Sequence, residues 1–90
     1  MLKFKNTTQF KKDMKRMKKS GKDVDKFREV AEILIHEIPL DKKYQDHKLI
    51  GNYKGQRECH IEPDWLLIYY IQEDTITFVR TGTHSDLFKK

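Results

Sequence analysis

An internal disulfide is excluded at once, because the 90-residue chain contains one cysteine, Cys59. A lone thiol suits a reducing compartment. Long apolar runs are also missing: the longest, Trp65–Ile71, falls far short of the roughly 20 residues that a spanning helix needs. The first residues are charged and read as no secretory leader, so a cytoplasmic location without a membrane partner is expected. Prolines number two and glycines four, and no linker, repeat or low-complexity stretch divides the chain. A single domain over residues 1–90 is therefore expected, near the lower limit of size for unaided folding. Hydrophobic residues are only 37 %, but they recur periodically, which argues for a folded chain.

Acidic residues are scarce at one end. Residues 1–22 hold nine Lys/Arg against Asp13 alone, a balance of +8, while residues 23–90 hold ten basic against thirteen acidic groups, a balance of −3. The two sum to the +5 of the whole chain. A positive segment on a near-neutral body attracts a polyanion or an acidic partner. The plainer alternative is a solvated lysine face.

In order along the chain, Leu2-Lys3-Phe4-Lys5 alternates as a short half-buried strand does. Thr7 or Thr8 then caps a helix whose stripe is Phe10, Met14 and Met17, and Ser20-Gly21 ends it. A second helix opens at Lys22 or Asp23. It buries Val24, Phe27, Ala31, Leu34 and Ile38, with Val30 and Ile35 widening the face, and Pro39 stops it. The short turn between the helices predicts an antiparallel hairpin. Methionines on such a stripe are ordinary core filler, and His36 reads as a surface residue.

Residues 39–47 read as a loop and Lys48-Leu49-Ile50 as a short strand. Tyr53–Glu62 alternates, placing Arg57, Cys59 and Ile61 opposite Glu58, His60 and Glu62. Pro63-Asp64 turns the chain into Trp65–Ile71, apolar on both phases like a central strand. Glu73-Asp74 makes a hairpin, Thr75–Thr81 is the next strand, Gly82 breaks it, and His84–Phe88 has room for one helical turn. This order predicts an α+β layer: an N-terminal strand, a helical hairpin over one sheet face, and antiparallel strands whose other face carries His60.

His60, Asp64, Arg80 and His84 each have a plain structural reading, as strand, turn, surface or cap-neighbour residues. Two histidines close to an arginine nevertheless suit RNA cleavage through the ribose 2′-hydroxyl. That reaction needs a base, an acid and a cation for the phosphorane. Histidine supplies the first two near neutral pH, and the guanidinium fork of Arg80 suits phosphate oxygens. Trp65, Tyr53 and Phe88 are candidates to stack on bases, although tryptophan more often belongs to a core. A zinc site is not indicated, since His47, His60, Asp64 and His84 form no His-x-x-His or Cys-x-x-Cys pair. Cys59 faces the core by strand phase and makes a poor nucleophile.

Three runs carry a family resemblance. They are Asp46-His47-Lys48-Leu49 with Gly51-Asn52-Tyr53-Lys54-Gly55, Arg57-Glu58-Cys59-His60-Ile61-Glu62-Pro63-Asp64-Trp65-Leu66-Leu67-Ile68-Tyr69, and Arg80-Thr81-Gly82-Thr83-His84-Ser85-Asp86-Leu87-Phe88. In order and spacing they resemble the YafQ branch of the RelE/ParE toxin superfamily across the second half; the first half agrees in layout only. The resemblance implies a RelE-like fold with a twisted antiparallel sheet. It also implies the toxin of a type II toxin–antitoxin system, an endoribonuclease that cuts mRNA in the ribosomal A site and is held by a cognate antitoxin in a hetero-oligomer. The catalytic set it implies is His47, His60, Asp64, Arg80 and His84, with His84 as acid and Arg80 on the scissile phosphate. Trp65, Phe88, Lys54 and Arg57 would contact substrate, and neither metal nor cofactor is expected. The lysine-rich first helix leaves open whether ribosomal or free RNA is engaged. Two other readings remain, a same-fold inhibitor of a protein target and a basic nucleic-acid-binding module without catalysis.

Overall fold

The apolar run beginning at Trp65 becomes the central strand of a five-stranded sheet. A computed structural model describes residues 1–88. Its elements are β1 (Lys3–Asn6), α1 (Thr8–Lys19), α2 (Val24–Ile35), β2 (His47–Lys48), β3 (Arg57–Glu62), β4 (Trp65–Gln72), β5 (Thr75–Gly82) and α3 (His84–Leu87). Tight 3-10 turns occupy Lys42–Tyr44 and Gly51–Tyr53. The strands lie in the order β1-β5-β4-β3-β2, all neighbours antiparallel except β1, which runs parallel to β5.

Period decides which side chains go where. Along β3 and β4, Cys59, Ile61, Trp65, Leu67 and Tyr69 share the face packed by the helices, with Ile76 and Phe78 from β5. Phe10 of α1, Phe27 of α2 and Phe78 form an aromatic trio with ring centroids 5.4, 5.7 and 5.3 Å apart. Such tilted and edge-on pairs add about 0.5–1.5 kcal/mol each beyond the area they bury. The second face is not bare: Leu66 and Ile68 are covered by Leu87, with Leu49, Tyr53 and Val79 at the margin.

The helices end where local chemistry dictates. Thr7 caps α1 through its hydroxyl, which accepts from the Phe10 N–H at 2.9 Å. Gly21 takes the left-handed conformation (φ 89°), and the Lys22 N–H reaches back to the Met17 carbonyl. Asp23 caps α2. This second helix stops at Ile35, three residues earlier than its stripe predicts. Ile38 is left 55 % exposed. Pro39 bars its predecessor from helical geometry, and Glu37 instead adopts φ 59° while the Ile38 N–H bonds to the Ile33 carbonyl.

The N-terminal strand is also brief, and this shapes the site. β1 pairs with β5 only from Thr75 to Phe78, so the next backbone groups of β5 lack a strand partner. They are met from α1 instead. The Thr7 hydroxyl donates to the Val79 carbonyl at 2.8 Å, and the Thr81 N–H donates to Asp13 at 3.1 Å. Side chains thus satisfy a sheet edge that would otherwise be open.

β3 begins at Arg57, later than the alternation predicts. Gly55 reverses the chain at φ 90°, and the preceding 3-10 turn uses Gly51–Tyr53. The expected strand at Lys48–Ile50 shifts to His47–Lys48, paired antiparallel with Glu58 and Arg57. No helix among the described residues is long and apolar enough to cross a membrane.

Candidate active site

Cross-strand register collects the candidate residues on the face away from the helices. His47 lies opposite Glu58, Glu58 opposite Ile68, and Ile68 opposite Arg80, making one row across four strands. His60, Leu66 and Gly82 make the next row. A register shift at Ile68/Tyr69 leaves Val79 as an extra residue of β5 and brings Arg80 into line with the first row.

The third histidine comes from α3. Thr83 caps it in a capping box with Asp86, which fixes His84 as the first helical residue. The helix lies so close to its strand that a Cβ at Gly82 would stand 2.9 Å from Asp86 Cβ. Glycine there lets His84 fold back toward His60. The rings of His60 and His84 are 5.7 Å apart, and those of His47 and His60 are 6.5 Å apart. The three form an arc, and His60 is its middle member.

A carboxylate serves each end of the arc. Asp64, delivered by the Pro63-Asp64 turn, accepts the His84 backbone N–H at 2.9 Å, and His84 Nδ1 lies 2.6 Å from the same oxygen. These two bonds, backbone first, hold the Asp64 carboxyl below its ordinary range. With Nδ1 engaged, Nε2 of His84 is the nitrogen left without a hydrogen-bond partner among the described residues, on a ring 57 % exposed. At the other end Glu58 is buried, its Oε1 3.4 Å from His47 Nε2 and 3.7 Å from His60 Nε2. Its Oε2 and His60 Nδ1 are buried without a hydrogen-bond partner among the described residues. His47 Nδ1 donates to the Gln45 carbonyl at 2.8 Å.

Arg80 is not a free cation. Its Nε and Nη2 donate to Asp13 at 2.7 and 3.2 Å. Asp13 is fully buried, and Arg16, Gln9 and the Thr81 N–H donate to it as well. Burial alone would raise the Asp13 carboxyl, but the bonds from Arg80, Gln9 and Thr81 outweigh it and hold the group below its ordinary value. The arginine is therefore clamped, side-on, at the end of the histidine face.

One expected substrate contact is corrected by the structure. Trp65 is completely buried on the helix face, and its indole N–H donates to Thr81 Oγ1 at 2.8 Å. It is a core residue. Arg57 shares the phase of Cys59 and Tyr69. Its guanidinium is taken up by Asp46 (Nη2 at 2.8 Å), which also accepts the Tyr69 hydroxyl at 2.6 Å. The other contacts are placed more openly: Phe88 is 40 % exposed and meets Tyr53 edge-on at 5.8 Å, and Lys54 is exposed on the same loop. Sequence reasoning missed Glu58 and Asp13. The first shares strand phase with His60. The second falls on the apolar stripe of α1, three residues after Phe10 and four before Met17. No group of three or more His, Cys, Asp or Glu side chains among the described residues is spaced to hold a metal ion.

The family description "Bacterial toxin of type II toxin-antitoxin system, YafQ" matches residues 2–89. The chain belongs to this toxin family. A relative from Escherichia coli strain K12, the mRNA interferase toxin YafQ, is 44 % identical over 81 residues, covering 89 % of this chain and 88 % of that protein. Among solved structures, the E. coli DinJ–YafQ toxin–antitoxin complex superposes with a TM-score of 0.89 at 41 % identity, covering 97 % of each chain. A metal-bound toxin from Helicobacter pylori reaches a TM-score of 0.91 at 44 % identity, covering 98 % of this chain and 100 % of that one. The resemblance and the RelE-like α+β fold expected from sequence are both borne out.

Proposed function

We propose that this endoribonuclease cleaves mRNA through the ribose 2′-hydroxyl by acid–base catalysis, within the ribosomal A site, and that a cognate antitoxin neutralises it by forming a hetero-oligomer. The arc of three histidines with a carboxylate at each end is the observation that carries this reading. Relatives support it: one is named an mRNA interferase, and another is solved in complex with its antitoxin. Its place of action is the cytoplasm.

The Glu58 end acts as base, with His47 or His60 taking the 2′-hydroxyl proton. The 2′-oxygen attacks phosphorus, and the phosphorane collapses with loss of the 5′-oxygen. His84 protonates that leaving group from Nε2, while Asp64 on Nδ1 holds the ring and stabilises the imidazolium. Arg80 binds a non-bridging phosphate oxygen. It stands two strands from Glu58 in the same row, roughly 10 Å between backbones, a span that a ribose and its phosphate bridge. Phe88, braced on Tyr53, orients the nucleotide, and exposed Lys54 contacts the phosphate chain. No step requires a metal ion.

The test is cleavage of a defined mRNA by purified protein, with and without translating ribosomes, with both cut ends mapped. Codon-register cuts on ribosomes, leaving 2′,3′-cyclic phosphate and 5′-hydroxyl ends, are expected, and His84→Ala should abolish them while keeping the fold and antitoxin binding. Cuts on free RNA would remove the ribosome requirement. Absence of cutting in both settings would favour inhibition of a protein target, and retained cleavage by His84→Ala would refute the mechanism.

A further inference from the structure

A cavity of about 430 Å³ opens beside His60, between α2, the turn Lys42–Tyr44 and the end of β3. Sites for small molecules commonly span ~300–1,000 Å³, so a nucleotide fragment has room here. His60 and Pro63 form one side; Lys43, Tyr44 and Gln45 form another; Glu29 of α2 contributes a carboxylate. Tyr44 is half-buried, its ring held in the margin of the core and under the Lys43 ammonium at 5.1 Å. The rim is pre-set: Glu62 is fixed by Lys22 at 3.1 Å and Lys26 at 2.7 Å.

Gln45 stands out on this wall. It ends the Lys42–Tyr44 turn in a left-handed backbone (φ 49°, ψ 44°), which fixes the direction of its carbonyl. Its carbonyl receives the His47 Nδ1 proton, while its side chain lines the cavity. One residue thus touches both the cavity and the candidate base. β2 is only two residues long, so the backbone carrying His47 has little ladder of its own and depends on that carbonyl for its aim.

We propose that this cavity is a base-recognition subsite that takes one unpaired nucleobase flanking the scissile phosphate. The proposal rests on the ribonuclease reading above and deepens it. Single-stranded RNA is read by splaying bases out, stacking them on aromatic rings and bonding their polar edges. Tyr44 is the aromatic ring of this wall, and a stacking base takes the place of the exposed Lys43 ammonium over it. The Gln45 amide offers a donor and an acceptor, Glu29 an acceptor and Lys43 a donor, so the wall reads a base edge that presents both kinds of group. Because His60 lines the same cavity, a ribose held at His60 brings its own or the adjacent base to the opening. The Gln45 carbonyl holds His47 Nδ1 at 2.8 Å, so a base bound to the Gln45 side chain sits one residue from the candidate base, and discrimination appears in kcat as well as KM.

The experiment compares cut-site spectra and single-turnover rates on an RNA pool randomised around the cut, on free RNA or on translating ribosomes, whichever supports cutting. Wild type, Gln45→Ala, Tyr44→Ala and Tyr44→Phe are used at full length. The wild type should show a base preference at one flanking position. Gln45→Ala and Tyr44→Ala should flatten that preference, with kcat/KM at the favoured base falling about tenfold in Tyr44→Ala, as the loss of one base–aromatic stack does, and about fivefold in Gln45→Ala, as the loss of one hydrogen bond does. Tyr44→Phe should restore it. Gln45 is exposed, so its variant keeps the test decisive even where Tyr44→Ala fails to fold. An unchanged preference in Gln45→Ala overturns the subsite, whatever happens to the overall rate. A wild type that cuts no RNA overturns the ribonuclease reading itself, a different outcome.

Discussion

Asp13→Asn is the substitution whose cost the structure specifies most closely. The carboxylate accepts five hydrogen bonds: Arg80 Nε at 2.7 Å and the Thr81 N–H at 3.1 Å on Oδ2, and Arg80 Nη2 at 3.2 Å, Arg16 Nη2 at 3.1 Å and Gln9 Nε2 at 3.1 Å on Oδ1. An asparagine amide keeps one oxygen and turns an NH₂ group toward the remaining donors. It therefore leaves donors facing a donor and removes the charge that answers Arg80. Breaking a buried ion pair from one side costs about 3–5 kcal/mol. The Arg80 side chain keeps 23 % of its exposure and regains some water, and Arg16, at 52 %, adds little. The lower end, about 3 kcal/mol, is expected. For a chain of this size that lowers Tm by roughly 12–24 °C.

Urea unfolding followed by Trp65 fluorescence measures it, and the denaturant slope should not change. The pH dependence gives a second check. Asp13 is held below its ordinary value in the folded state. Its contribution is thus fully present above the unfolded value, about 3.9, and is lost as pH falls through the folded value. The gap between wild type and Asp13→Asn should be constant from pH 7 to 5 and narrow below about pH 4. Combined with Arg80→Gln, the two losses should fall well short of additive, because either one alone breaks the pair. A destabilisation under about 1 kcal/mol, or a gap that widens toward pH 3, would refute the clamp.

Glu58→Gln should slow cleavage by about 10²–10⁴-fold while leaving the melting curve close to that of wild type; single-turnover rates and calorimetry check both parts. Trp65→Phe should cost about 1–3 kcal/mol through the lost bond to Thr81 and leave RNA affinity unchanged, whereas weaker binding at full stability would return Trp65 to the substrate. Burial pushes the Cys59 thiol well above its ordinary value, so a thiol-specific disulfide reagent at pH 8 should label the native protein only at its unfolding rate and label it promptly in urea.

Much of this architecture was legible in the chain because period is a strong signal. The alternation through Cys59, His60 and Ile61 assigned His60 to its face correctly, and Thr7, Gly21, Asp23 and the Pro63-Asp64 turn marked real boundaries. Strand phase places Arg57 with Cys59, and the resemblance places it on substrate; the structure bonds it to Asp46 in register with Tyr69 and leaves 36 % of its side chain exposed. Register is what a single sequence does not carry. The meeting of His47 with Glu58 depends on a two-residue edge strand, and the alignment of Arg80 depends on a one-residue bulge. Neither leaves a periodic trace.

Asp13 is the instructive miss, since its signal was present. Within a segment of nine basic residues it counted only as the lone acid. Its spacing from Phe10 and Met17 placed it on the buried stripe, where an ionised carboxylate persists only with partners. Those partners had to come from across the fold, and an arginine is the side chain best suited to a buried pair. The consequence ties the two halves of the molecule together. α1 turns its lysines to solvent and its one carboxylate inward, onto Arg80 and the open edge of β5. One short helix therefore carries both the densest positive charge of the chain and the carboxylate that holds the arginine of the histidine face.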